Sequence, residues 1–129
     1  MTTLSQLRIL VDDFPASFRF YREVLGLTPQ SQEQASGPYA CFKFEDGGTD
    51  IALLSRAMMA EGMGATLVPR GSADHAVVVF RVDDVDAAHA KAVADGAQSA
   101  SEPADQPGWG MRVAHLRAPE GTLIEFCSY

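Results

Sequence analysis

The chain has 129 residues, 47% of them hydrophobic and 21% charged, which suits a single globular domain with a real core. Ten basic against 17 acidic residues leave a formal net charge of −7, and no stretch gathers Lys and Arg into a stripe, so nucleic acid is not an expected partner. The first residues carry neither a basic nor an apolar signal segment and no run approaches a membrane span, so a cytoplasmic protein without a membrane partner is expected.

Leu7 to Val11 is a β-prone run closed by Asp12-Asp13, after which Phe14, Phe18, Tyr21 and Leu25 recur at spacings of four, three and four, one face of a helix. Asp13 can cap that helix, Pro15 suits its first turn and Gly26 can end it. Leu27 to Glu33 and Tyr39 to Glu45 read as strands separated by Ser36-Gly37-Pro38, and Asp46-Gly47-Gly48 turns the chain into a further strand, Thr49 to Leu54. The order is β-α-β-β-β. Residues 55–74 hold three Met and three Gly without steady periodicity and read as a long connection: a lid, an interface segment or a plain crossover whose Met side chains pack on the core. Ala76 to Val82 is then a strand closed by Asp83-Asp84, and Val85 to Asp95 is an Ala-rich helix ended by Gly96. Ala97 to Ala100 and Met111 to Arg117 are strands joined by a loop from Glu102 to Gly108. Pro119-Glu120-Gly121 turns into the last strand. Cys41 and Cys127 form no CxxC and are expected as reduced thiols.

The second half repeats the first. Val11-Asp12-Asp13 lies 71 residues before Val82-Asp83-Asp84, Gly26 lies 70 before Gly96, and Gly48-Thr49-Asp50-Ile51 lies 73 before Gly121-Thr122-Leu123-Ile124. An α+β fold follows: two paired βαβββ modules, about 6–54 and 75–128 with a 55–74 linker, forming curved mixed sheets around a central trough within one domain, 1–129. Alternation gives Leu7, Ile9 and Val11 to the helix side and Gln6, Arg8 and Leu10 to the trough; Val78, Phe80 and Val82 likewise leave His75, Val77, Val79 and Arg81 opposite. Glu125 shares a largely apolar face with Leu123 and Cys127. A carboxylate so placed needs a cation, a donor or a proton, which makes it a site candidate, although a strand showing that face to solvent gives the same pattern. By the offsets Gln6 corresponds to Val77 and Ala52 to Glu125.

These pieces in this order resemble the vicinal oxygen chelate superfamily, which includes glyoxalase I, bleomycin and fosfomycin resistance proteins and extradiol dioxygenases. The resemblance is carried by Val11-Asp12-Asp13-Phe14-Pro15-Ala16-Ser17-Phe18-Arg19-Phe20-Tyr21 with Leu25-Gly26-Leu27, by Val82-Asp83-Asp84-Val85-Asp86-Ala87-Ala88, by Trp109-Gly110, and by Pro119-Glu120-Gly121-Thr122-Leu123-Ile124-Glu125-Phe126. It implies metal ligands at four repeat-related positions, usually His, Gln or Glu. Here Gln6 and Glu125 match, whereas Ala52 and Val77 offer no donor atom, so no metal cofactor is expected. His75, two residues before Val77, is the alternative ligand; Gln6, His75 and Glu125 would then hold nickel, zinc, iron or manganese.

Three functions remain in competition. The first is a small-organic-molecule binder of the bleomycin-resistance type, implying a role in antibiotic resistance, with Gln6, Arg8, His75, Trp109 and Glu125 as its ligand-binding residues. The second is a metal-dependent lyase, isomerase, hydrolase or dioxygenase. The third is a metal-free enzyme with Glu125 as catalytic general base. In the metal-free cases Glu125 is expected to meet Gln6 or Arg8. Trp109 can stack on a planar ligand or act as a packing anchor. His115, between Ala114 and Leu116, reads as a packed, hydrogen-bonded histidine, and His89 as solvent-facing on its helix. The resemblance also implies a homodimer, which open sheet edges and the Met-rich linker would favour.

Overall fold

The computed structural model describes residues 4–63 and 76–129. The chain divides into two units, residues 1–70 and 71–129, and each is described by itself. In the first, β1 (Gln6–Val11) runs parallel to β4 (Asp50–Ser55); β4 is antiparallel to β3 (Tyr39–Lys43), and β3 to the short β2 (Thr28–Pro29), giving the order β1-β4-β3-β2. In the second, β5 (Val77–Arg81) runs parallel to β8 (Leu123–Ser128), followed by antiparallel β7 (Met111–Arg117) and β6 (Gln98–Gln106), in the order β5-β8-β7-β6. The same topology twice is what the three sequence offsets anticipate. Each sheet is mixed and open.

Each module carries its helix on one face. Helix α1 (Phe14–Arg19) begins where Asp13 accepts the Ala16 N–H at 3.2 Å, with Pro in the first turn, as expected from sequence. It continues as a π-helical turn, Phe20–Val24, in which the Leu25 N–H donates to the Phe20 carbonyl, and Gly26 then takes φ +74°. Phe18 and Tyr21 lie 5.5 and 6.2 Å from Phe42, ring centre to ring centre, so this helical segment covers the sheet through aromatic side chains. That places Phe42, its partner Ile51, Ile9 and Val11 inside, and all four are buried. In the second module α3 (Val85–Ala94) is capped by Asp84, which accepts the Ala87 N–H at 3.0 Å, at the position equivalent to Asp13. Val85 and Ala92 are buried, with Ala114, Leu116, Ile124 and Phe126 of the sheet it covers.

Four expectations are corrected. The strand proposed for Leu27 to Glu33 is limited to Thr28–Pro29 and followed by a 3-10 helix, Gln32–Ser36, leading to the turn at Gly37. A Cβ on Gly37 would meet the Phe14 ring at 2.7 Å, and Gly37 has φ +78°; close packing and a left-handed backbone both ask for glycine there. The proposed connection 55–74 starts with a helix, α2 (Arg56–Met63), lying against β4 and β1. The loop proposed from Glu102 to Gly108 belongs largely to β6, which reaches Gln106 by absorbing irregularities in its pairing with β7. His89 is buried at 5% exposure, not solvent-facing, and its Nε2 is 2.9 Å from the Ser99 hydroxyl of β6.

Candidate functional site

The faces away from the helices carry the polar residues of interest, as alternation predicts. In the first module Gln6, Arg8 and Leu10 of β1 stand beside Asp50, Ala52 and Leu54 of β4, with Cys41 opposite Ala52 and Tyr39 opposite Leu54. In the second module Val77, Val79 and Arg81 stand beside Leu123, Glu125 and Cys127, and His115 of β7 is opposite Glu125. The registers make Ala52 and Glu125 equivalent, Gln6 and Val77 equivalent, and Cys41 equivalent to His115.

On the first face, Arg8 donates from Nε and a terminal nitrogen to Gln6 Oε1 at 3.2 and 2.9 Å. Gln6 Nε2 donates to the Tyr39 hydroxyl at 3.0 Å and lies 3.9 Å from Cys41 Sγ. The Tyr39 oxygen accepts in this bond, leaving its own proton to give. Ser5, Gln6, Arg8, Tyr39 and Asp50 line an open hollow of about 610 Å3. Asp50 is paired with Lys43 at 2.7 Å, and this carboxylate raises the Lys43 pKa above its ordinary value. The hollow therefore offers a guanidinium and a phenol hydroxyl on one wall.

On the second face, Glu125 is buried at 7% exposure, and its Oε1 lies 2.8 Å from His115 Nε2. The other ring nitrogen, His115 Nδ1, lies 2.7 Å from the hydroxyl of exposed Ser101 on β6. Sequence reasoning aims Glu125 at Gln6 or Arg8; the partner found is His115 of its own sheet. The signal was present in the turn: His115 and Glu125 lie five residues either side of Glu120, so a tight hairpin sets them opposite each other. Beside this pair Val77 and Val79 are 42% and 50% exposed, and Arg81 and Arg117 stand on the same face.

The remaining sequence candidates fall elsewhere. Trp109 is 59% exposed in the turn between β6 and β7, beside a 350 Å3 hollow lined by its neighbours Pro107 and Gly110 together with Met111, Arg112, Ser128 and Tyr129. His75 lies outside the described residues. Of the four repeat-related positions, Ala52 and Val77 carry no donor atom, Gln6 Oε1 accepts from Arg8, and Glu125 Oε1 lies 2.8 Å from His115 Nε2. Among the described residues no three His, Cys, Asp or Glu side chains form a metal-holding group.

Comparison with known proteins gives one consistent result. Residues 3–126 match the family described as Glyoxalase/Bleomycin resistance protein/Dioxygenase superfamily. The chain is 40% identical over 124 residues to the uncharacterized protein YraH of Bacillus subtilis, covering 95% of this chain and 94% of that one. It is 38% identical over 124 residues to the putative glyoxylase CFP32 of Mycobacterium bovis, spanning 95% of this chain but 42% of that longer protein. A crystal structure of a glyoxalase/bleomycin resistance protein/dioxygenase from Nocardioides superposes with a TM-score of 0.80 at 26% identity, covering 100% of this chain and 84% of that one.

Proposed function

From its membership of the glyoxalase/bleomycin resistance protein/dioxygenase superfamily, we propose that this chain binds a small organic molecule, without a tightly held metal, using Glu125 as the polar handle of an apolar surface. The observation that carries this is the buried Glu125 carboxylate, fixed by His115 at 2.8 Å on a helix-free face whose β5 residues Val77 and Val79 are exposed. Such a surface gains affinity by covering apolar area and orients its ligand through a few fixed polar groups. The donor set at the family's ligand positions supports the metal-free form. Within the first unit, Arg8, Gln6 and Tyr39 form a separate polar cluster that lines its own hollow. A bleomycin-type antibiotic is one ligand to try first, by likeness to the resistance proteins of the superfamily, and the working unit we propose is a homodimer.

The test combines elemental analysis of protein purified without chelators with calorimetric screening of small organic molecules against wild type and Glu125→Gln. Loss of a charge-assisted hydrogen bond, about 1.5–3 kcal/mol, corresponds to binding weakened by about 10- to 100-fold. One equivalent of transition metal that disappears in Glu125→Gln and His75→Ala would replace this proposal with a metal enzyme using Gln6, His75 and Glu125.

A further inference from the structure

We propose that Ser101, His115 and Glu125 form a nucleophilic relay in which the Ser101 hydroxyl attacks small activated acyl compounds such as aryl esters. Three observations meet at this point. First, His115 bridges the other two groups: as the neutral Nε2–H tautomer it donates to Glu125 Oε1 across 2.8 Å and turns the Nδ1 lone pair towards Ser101. Second, that lone pair lies 2.7 Å from Ser101 Oγ, the separation expected for an O–H donor and the base that will take its proton. Third, the backbone is shaped to put Ser101 there. In a regular strand Ser99 and Ser101 would share a face, yet Ser99 bonds His89 on the helix side while Ser101 bonds His115 on the opposite side. The pairing explains the difference: Ser99 is opposite Leu116 and Ser101 is opposite His115, so Ala100 is an extra residue in β6, a bulge that re-aims the side chain after it.

The burial gradient suits the roles. Glu125 has 9% of its side chain exposed and His115 20%, while Ser101 is exposed, so the acceptor is sheltered and the nucleophile reaches solvent. Nucleophile, base and orienting carboxylate come from β6, β7 and β8, and these roles define such a relay irrespective of fold. In the reaction Ser101 Oγ forms a bond to the acyl carbon as its proton passes to His115 Nδ1. Collapse of the tetrahedral intermediate breaks the bond to the leaving oxygen, which takes that proton. A water molecule then attacks the acyl serine, gives its proton to Nδ1, and releases the carboxylic acid and free Ser101. An ester whose leaving group is already good demands least stabilisation from elsewhere, which is why aryl esters are the substrate class.

This inference uses the same sheet face as the ligand-binding proposal but goes beyond it, and the two fail separately: ligand binding unchanged in Glu125→Gln would overturn the binding proposal alone, and absence of acetyl on Ser101 would overturn the relay alone. The experiment treats the full chain with p-nitrophenyl acetate, follows p-nitrophenolate release, and maps the acetyl group by peptide mass spectrometry. The expected result is acetyl on Ser101 and release slowed by about 100-fold or more in Ser101→Ala and in His115→Ala, with thermal melting verifying that each variant is folded. Should His115→Ala fail to fold, nitrogen NMR of wild-type His115 supplies the second measurement, and the Nε2–H tautomer is expected. Acetyl confined to Lys43, Lys91 or the amino terminus, an unchanged rate in folded Ser101→Ala, or the Nδ1–H tautomer would each overturn the proposal.

Discussion

Glu125 shows how much of a site one hydrogen bond decides. A carboxylate at 7% exposure cannot stand without a partner, and among the described residues every buried side-chain nitrogen or oxygen has one. His115 meets that need, so truncating it should leave the carboxylate inadequately paired. His115→Ala is expected to lose about 1–3 kcal/mol of unfolding free energy, measured by urea denaturation. The double variant His115→Ala with Glu125→Gln should lose less than the sum of the two single losses, because the second change removes the charge that the first leaves exposed to an apolar setting. Strict additivity would mean that the pair is not coupled. At the equivalent place in the first module Ala52 and Cys41 stand where Glu125 and His115 do, which explains why only one module presents a carboxylate–imidazole pair.

Among the elements, α3 is tied to its sheet by charge as well as by packing. Arg112 of β7 donates to both carboxylate oxygens of Asp86 at 2.6 and 2.8 Å and to Asp105 of β6 at 3.1 Å. The hydrogen bonds from Arg112 hold the Asp86 pKa below its ordinary 3.8. A carboxylate depressed on folding contributes stability that is fully present above its unfolded pKa and lost as pH falls through its folded value. Asp86 therefore stabilises the fold at neutral pH and ceases to do so only in acid below about 3.8. Its exposure makes the contribution small. Asp86→Asn should lower the melting temperature slightly at pH 7 and reduce the stability lost between neutral pH and pH values below that limit, as followed by circular dichroism; an acid-dependent loss identical to wild type would remove Asp86 from the acid response.

For the whole molecule, β1 and β5 each stand at the edge of their own sheet and carry exposed apolar side chains, Leu7 at 42%, Val77 at 42% and Val79 at 50%. Edges and apolar surface of this kind favour association. Sedimentation equilibrium at micromolar concentration is expected to give the mass of a homodimer, and a monomer there would count against that assembly. The described helices include none long and apolar enough to cross a membrane.

The amino-acid order by itself determined the duplicated βαβββ topology, the caps at Asp13 and Asp84, and the division of strand faces that sends Gln6, Arg8 and Glu125 away from the helices. Each of these is local or periodic: a turn, a cap and an alternation of two are written within a few neighbouring residues. Tertiary structure alone decided that α2 forms where the periodicity is weak, that β6 runs on to Gln106, and that His89 turns inward to Ser99. It also decided what Glu125 and Ser101 meet. Glu125 was visible as an isolated carboxylate on an apolar face, but its hydrogen bond to His115 depends on cross-strand register, and the Ser101 contact depends on a bulge at Ala100 that reverses which way a serine points. A one-residue change of register moves a side chain to the other face of a sheet, so those contacts become definite only when the strands are paired.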